Sequence, residues 1–190
     1  MSAGALIALV IAIVIAVYLI ALYNGLVALK HAVAKSFANI DVLLKQRHDE
    51  LPKLVETCKQ YMQHEQNTLQ QVIEARGRVA SASAARDMDA LGQAEGALRS
   101  GLGQLFALAE NYPELKANDT FRHLQARISE LENAIADRRE TYNEAVNINN
   151  VRIEQFPDSI VAGLFAFKAA RLLKFRAHET ADVNVAALFK

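Results

Sequence analysis

The stretch AGALIALVIAIVIAVYLIAL, Ala3–Leu22, decides the reading of this chain. As a helix it rises about 30 Å, the thickness of the hydrocarbon core of a bilayer. No Asp, Glu, Lys or Arg occurs from Met1 to Leu29. A core helix of a domain this small would show a polar face, and this one shows none. Tyr18 and Tyr23 stand near its C-terminal end, where an aromatic belt is expected. A cleaved signal peptide has a basic leading region and a shorter apolar run. Here no Lys or Arg precedes the run, and the small-x-small triplet Ala32-Val33-Ala34 lies beyond it, beside Lys30 and Lys35. Residues 1–25 therefore read as a retained transmembrane anchor. Lys30, Lys35, Lys45 and Arg47 all follow it. The positive-inside rule then predicts a single-pass protein of the cell (inner) membrane, N-terminus out and C-terminal domain cytoplasmic.

Outward from the anchor, the composition is that of a helical protein. Gly (8) and Pro (3) are sparse, and Ala, Leu, Glu, Lys, Arg and Gln abound. The 21 Lys+Arg balance 21 Asp+Glu, which leaves no global field to attract nucleic acid. One cysteine, Cys58, excludes an internal disulfide framework and any CxxC or zinc-finger motif.

Four apolar stripes follow. Leu26, Leu29, Val33, Phe37, Ile40 and Leu44 recur at steps of three and four, one face of a helix. Pro52 predicts a turn around His48–Leu51, because proline disfavours helix in the residue before it and suits a first turn. A second helix is expected from about Lys53 to the low 80s, on Leu54, Cys58, Tyr61, Leu69 and Val72, with a turn at Ser81–Asp87. A third carries Leu91, Leu98, Leu102, Leu105 and Ala109. Its Gly92, Gly96, Gly101 and Gly103 either weaken it or permit close backbone approach. Asn111-Tyr112-Pro113 ends it. A fourth follows from Leu115–Asn118 to about Gln155, on Phe121, Leu124, Ile128, Leu131, Ile135, Tyr142 and Asn149, and Phe156-Pro157-Asp158 stops it. The fold class is all-α: the anchor, then an antiparallel four-helix bundle with long helices over residues 26–157. By parity the fourth helix returns toward the bilayer. There, residues 158–177 mix Ile160, Leu164, Phe165, Phe167 and Phe175 with Lys168, Arg171 and Lys174, and no acid lies between Ser159 and Ala177. This basic amphipathic segment suits either an anionic leaflet or its own bundle. Residues 178–190 form an uninformative tail.

Several stretches are similar to the LemA family. They are Tyr23-Asn24-Gly25-Leu26-Val27, then Ile40-Asp41-Val42-Leu43-Leu44 running on through Arg47-His48-Asp49-Glu50-Leu51-Pro52-Lys53. Further on come Glu74-Ala75-Arg76, Glu110-Asn111-Tyr112-Pro113-Glu114-Leu115, Tyr142-Asn143-Glu144-Ala145-Val146 and Phe156-Pro157. The resemblance covers about Tyr23 to Lys168. It implies a bacterial or archaeal protein with one N-terminal membrane helix, a helical bundle and no established enzymatic activity. One branch of that family serves magnetosome organelles and is tied to membrane invagination; the resemblance does not assign this chain to it. Gln46 departs from the family pattern, which often has Arg or Lys there.

No constellation carries catalysis. His64-Glu65 lacks the second His of HExxH, since Thr68 holds that place. His31, His48, His123 and His178 are scattered, and no Glu-x-x-His occurs. Cys58 has no His one turn away to activate it. No metal, cofactor or catalytic residue is expected. Asp41, Arg47, His48 and Asp49 at the first turn, and Glu110, Tyr112 and Glu114 at the third, are candidate interaction residues, beside the plainer reading as turn and capping chemistry. The repeated Tyr-Asn-x-x-Val motif makes Tyr23, Asn24, Tyr142 and Asn143 a candidate clasp between helices one and four. Phe165, Phe167, Lys168, Arg171, Lys174 and Phe175 are candidate membrane-interface residues. The expected partners are the lipid bilayer, further copies of the chain and, on the adaptor reading below, a membrane protein, with no nucleic acid. Two functions fit: a self-associating scaffold that organises or shapes the membrane, or an adaptor binding a membrane protease or signalling protein through the bundle turns.

Overall fold

A computed structural model describes residues 3–174. Its elements are helices α1 (Ala3–Lys59), α2 (Gln66–Ala85), α3 (Met88–Ala109), α4 (Pro113–Ala117), α5 (Asp119–Glu154) and α6 (Asp158–Leu164). No strand occurs among the described residues. Two compact units are present. One comprises residues 3–40 and 136–172, the other residues 41–135 and 173–174. The tail 178–190, the end of the segment 158–177, and Phe175 lie outside the described residues.

Within the second unit, the turn expected at His48–Leu51 does not exist. Helix α1 runs through Pro52 without a break. Proline has no N–H for the carbonyl four residues back, here that of His48. That carbonyl accepts instead from Arg76 Nε of α2, at 2.9 Å, and Arg76 Nη2 lies 2.6 Å from His48 Nε2. One guanidinium thus replaces the missing helical bond and ties α1 to α2. Buried Leu51, Leu54 and Val55 on either side hold the helix in place. Arg76→Met is therefore expected to destabilise the chain by about 1–3 kcal/mol, the cost of a half-buried carbonyl left unpaired. In a Pro52→Ala background the new amide serves His48, so the same change should cost clearly less. Chemical denaturation followed by circular dichroism in detergent checks both.

His48 adds a pH dependence. Burial first, and then the Arg76 guanidinium, lower its imidazole below the ordinary 6.5, against an opposing contribution from Asp49. The unfolded chain takes up a proton near 6.5 that the folded chain refuses. Stability is therefore full above about pH 6.5 and falls as the pH drops from there toward the depressed folded value. The slope between pH 7.5 and 5.5 should shrink in His48→Gln.

The first real turn lies at residues 60–65, where the Cys58 carbonyl accepts from both Tyr61 and Met62 N–H at 3.0 and 2.8 Å. Met62 is fully buried there. The next turn is tighter than the expected Ser81–Asp87, because Ser81–Ala85 remain helical. Arg86 takes the left-handed conformation (φ 51°), Asp87 N–H donates to Ala82 O and Arg86 N–H to Ser83 O. This is a Schellman closure. Asp87 then caps α3 by accepting from Asp89 and Ala90 N–H at 3.1 and 3.0 Å. The stripe Leu91, Leu98, Leu102, Leu105 and Ala109 is buried as expected.

Of the glycines in α3, Gly92 is the one that close approach requires. A Cβ there would stand 2.0 Å from the Lys174 carbonyl oxygen, beside the buried Leu173. Gly101 sits in ordinary contact with Val72, and nothing lies near Gly96 or Gly103.

Candidate membrane-facing site

The first unit holds the apolar run. Every residue from Ala3 to Ala21 is exposed, and only 6% of the most apolar window is buried inside the chain. A core helix would be covered by its own protein. This one is long and apolar enough to cross a membrane and is covered by nothing else among the described residues.

Cover begins where that run ends. Leu22 and Leu26 pack with Val161 and Ala162 of α6, and Ile153 and Phe167 close the cluster. The segment expected to be one amphipathic stretch is a short helix followed by an irregular strap. Its inner face packs on its own unit. Its outer face leaves Ile160, Leu164 and Phe165 exposed at 61%, 77% and 56%, and Phe156 just before it is exposed at 80%. Apolar side chains this large and this exposed are ones that water disfavours, and Phe165 among them lies against Tyr23, next to the end of the bare run.

The strap is fixed by specific bonds. Phe165 N–H donates to Val161 O, and Phe167 N–H reaches back to Ala162 O at 2.9 Å. Ala166 between them has a positive φ of 53°. That reversal lays both rings on Tyr23, with centroids 4.7 Å (Phe165) and 5.8 Å (Phe167) away. Asn150 then brackets Ala170, donating to its carbonyl (2.9 Å) and accepting from its N–H (2.8 Å). Tyr142 donates to the Arg171 carbonyl at 2.8 Å, and burial raises its phenol above the usual range. Arg152 holds the buried Asp158 carboxylate at 2.7 Å. A left-handed residue with a Cβ is strained, so Ala166→Gly should stabilise the strap by up to about 1 kcal/mol. Slower amide exchange at Phe167 and Ala170 would register it.

The expected clasp takes different partners. Tyr23 meets Phe165 and Phe167, whereas Tyr142 meets Phe37 at 6.0 Å. Asn24 is exposed, and Asn143 is half-buried. Of the interface candidates, Lys168, Arg171 and Lys174 are exposed.

The residues expected at the first turn lie within α1 instead. Asp41 accepts from Ser83 Oγ at 2.6 Å. Arg47 is buried, ion-paired with Glu95 of α3. Asp49 is exposed, and Lys53 pairs with Glu50 one turn away at 3.1 Å. Glu110, Tyr112 and Glu114 do flank a turn. Glu110 pairs with Lys116, and Tyr112 Oη donates to Glu65 at 3.4 Å. Beside them Asn118 donates to Tyr61 Oη at 3.2 Å. Sequence reasoning passed over Glu95, Arg76 as a ligand of His48, Asn150 and Asp158. Glu95 had a signal: it sits on the stripe between Leu91 and Leu98, where a charge needs a buried partner.

Chemistry offers little else. Burial pushes the Cys58 thiol up to about 12, so no thiolate forms near neutral pH. Among the described residues no group of three or more His, Cys, Asp or Glu side chains is placed to hold a metal ion. An open groove of about 1380 Å³ on α2 and α3 is lined by small residues, among them Gly77, Ala85, Ala90 and Ala97, and by the charged Glu74, Arg78, Asp87 and Arg99.

Comparison with known proteins gives a consistent kinship. The profile of the LemA family matches residues 36–186. A magnetosome protein MamQ of Paramagnetospirillum magneticum is 38% identical over 77 residues, and a MamQ of Magnetospirillum gryphiswaldense is 33% identical over 75. Each match covers 40% of this chain but only 28% of the relative.

Proposed function

The chain belongs to the LemA family, and from that premise we propose that it is a non-enzymatic membrane-anchored scaffold, which self-associates and shapes the leaflet it leaves. Residues 3–21 cross the bilayer once, and the lysines that follow, Lys30, Lys35 and Lys45, favour a cytoplasmic C-terminal domain. In that domain α1, α2, α3 and α5 act as the four-helix bundle. The observation that carries the reading is the seating of α6 on Leu22 and Leu26, with Ile160, Leu164 and Phe165 facing outward. Those side chains enter one leaflet beside the anchor. Apolar wedging of a single leaflet is the means by which interfacial helices respond to and impose curvature. Self-association draws support from the open groove on α2 and α3, where Gly77, Ala85, Ala90 and Ala97 stand beside the charged Glu74, Arg78 and Arg99 and so offer a second copy both close approach and polar contacts. The description of two relatives as magnetosome proteins agrees with a membrane-organising role.

Full-length protein extracted in mild detergent, measured by size-exclusion chromatography with light scattering and imaged by electron microscopy, tests the self-association. A large, regular particle is expected. A monomer or dimer would defeat it and favour the adaptor, sought then through Glu110, Tyr112 and Glu114.

A further inference from the structure

A pocket of about 530 Å³ opens on the first unit between α1 and the strap. Its volume lies within the roughly 300–1,000 Å³ of small-molecule sites. Tyr23, Lys30 and His31 line it from α1, at steps of seven and eight that place them on one helix face. Phe165, Phe167 and Lys168 line it from the strap, and buried Asn149 from α5. We propose that this pocket seats the phosphate headgroup of an anionic phospholipid in the leaflet beside the bundle, a proposal that rests on the reading of residues 3–21 as a membrane span.

Three observations carry it. The first is charge: Lys30 and Lys168 line the pocket and no Asp or Glu does. Among the described residues, neither lysine has a carboxylate partner. Unneutralised cations facing one cavity call for an anion. The second is depth. Lys30 lies about 12 Å along the helix beyond Leu22, and Leu22 is where the bare apolar run gains protein cover. Headgroups occupy the first ~5–8 Å beyond the hydrocarbon, and a lysine side chain reaches back across the remainder. The third is polarity of the walls. The Tyr23, Phe165 and Phe167 rings stand against one another on the side of the apolar run, where the glycerol and upper acyl chain of a lipid would lie. A free phosphate would have no use for that aromatic wall.

The test uses full-length protein in detergent, with phosphatidylglycerol or phosphatidylcholine added and adducts counted by native mass spectrometry. Phosphatidylglycerol should bind in preference, and Lys30→Gln with Lys168→Gln should weaken it by at least about five-fold, the value of a single lysine at an anionic surface. Lys30→Arg with Lys168→Arg should retain binding. Lys45→Gln with Lys59→Gln, the same charge change outside the pocket, should leave it unchanged. Equal loss in that control, or no preference for phosphatidylglycerol in the unaltered protein, would overturn the proposal. Competition by inorganic phosphate alone at the lipid's own concentration would assign the pocket to a free anion and overturn it too. Alkaline carbonate extraction from membranes, run in parallel, separates the two readings. A chain that washes off has no anchor, whereas one that stays but shows no lipid preference lacks only the headgroup site.

Discussion

Glu95→Leu is expected to lower the unfolding free energy by about 3–5 kcal/mol, because it strands the Arg47 guanidinium inside the second unit. The side chains of Arg47 and Glu95 are only 3% and 5% exposed. Arg47→Met should cost a similar amount by stranding the carboxylate. The double variant should recover most of the loss, since two apolar side chains of similar size avoid desolvating either charge. Denaturation of the four proteins forms a closed cycle. Additive losses in the double variant would show that the pair does not interact as described. This ion pair also bears on function: Arg47, a candidate interaction residue by its sequence, is committed to the interior. Reversing Arg47 would damage the fold before it touched any partner.

Gly92→Ala should release Leu173 and Lys174 from α3. The added Cβ meets the carbonyl oxygen and carbon of Lys174, at 2.0 and 3.1 Å. Both are backbone atoms that no side-chain rotation can move aside. The segment must lift and take Leu173 with it, forfeiting roughly 1.5–3 kcal/mol of burial. Trypsin cleavage at Arg171 and Lys174 should then accelerate by about ten-fold or more, since each 1.4 kcal/mol of opening is a factor of ten. Gly96→Ala and Gly103→Ala meet nothing within 4 Å and should stabilise α3 by up to about 1 kcal/mol. The same substitution at three positions of one helix thus has opposite signs.

The legible part of the fold was the part written in periodicity. The stripes on α3 and α5 needed only steps of three and four, and Leu91 to Ala109 and Phe121 to Ile135 are buried accordingly. The apolar run was legible for a different reason: no soluble environment suits its length without a polar face. Pro52 misled because its local preference was sound but its missing hydrogen bond is replaced from twenty-four residues away, by Arg76. Ser81–Ala85 misled similarly; small polar residues resemble a turn until Ser83 finds Asp41 and Ala82 is covered. The strap was least legible. Its course depends on backbone partners supplied by Asn150 and Tyr142 and on a left-handed Ala166, none of which follows from the hydrophobic pattern. The candidate membrane-interface residues are readable in the sequence as a mixture of Phe, Leu and Lys. That the inner half of them pack on the chain while Ile160, Leu164 and Phe165 remain outside is not.

The central claim is that α6 works as a wedge beside the anchor. The direct measurement is electron microscopy of phosphatidylglycerol-containing vesicles carrying the full-length protein, compared with Ile160→Glu/Leu164→Glu at equal protein density. Both side chains are exposed, so the variant should keep its helicity and stay inserted through residues 3–21. The account predicts that the unaltered protein deforms the vesicles into narrow or tubular profiles and that the variant leaves them round. Round vesicles with both proteins, or equal deformation by both, would contradict it.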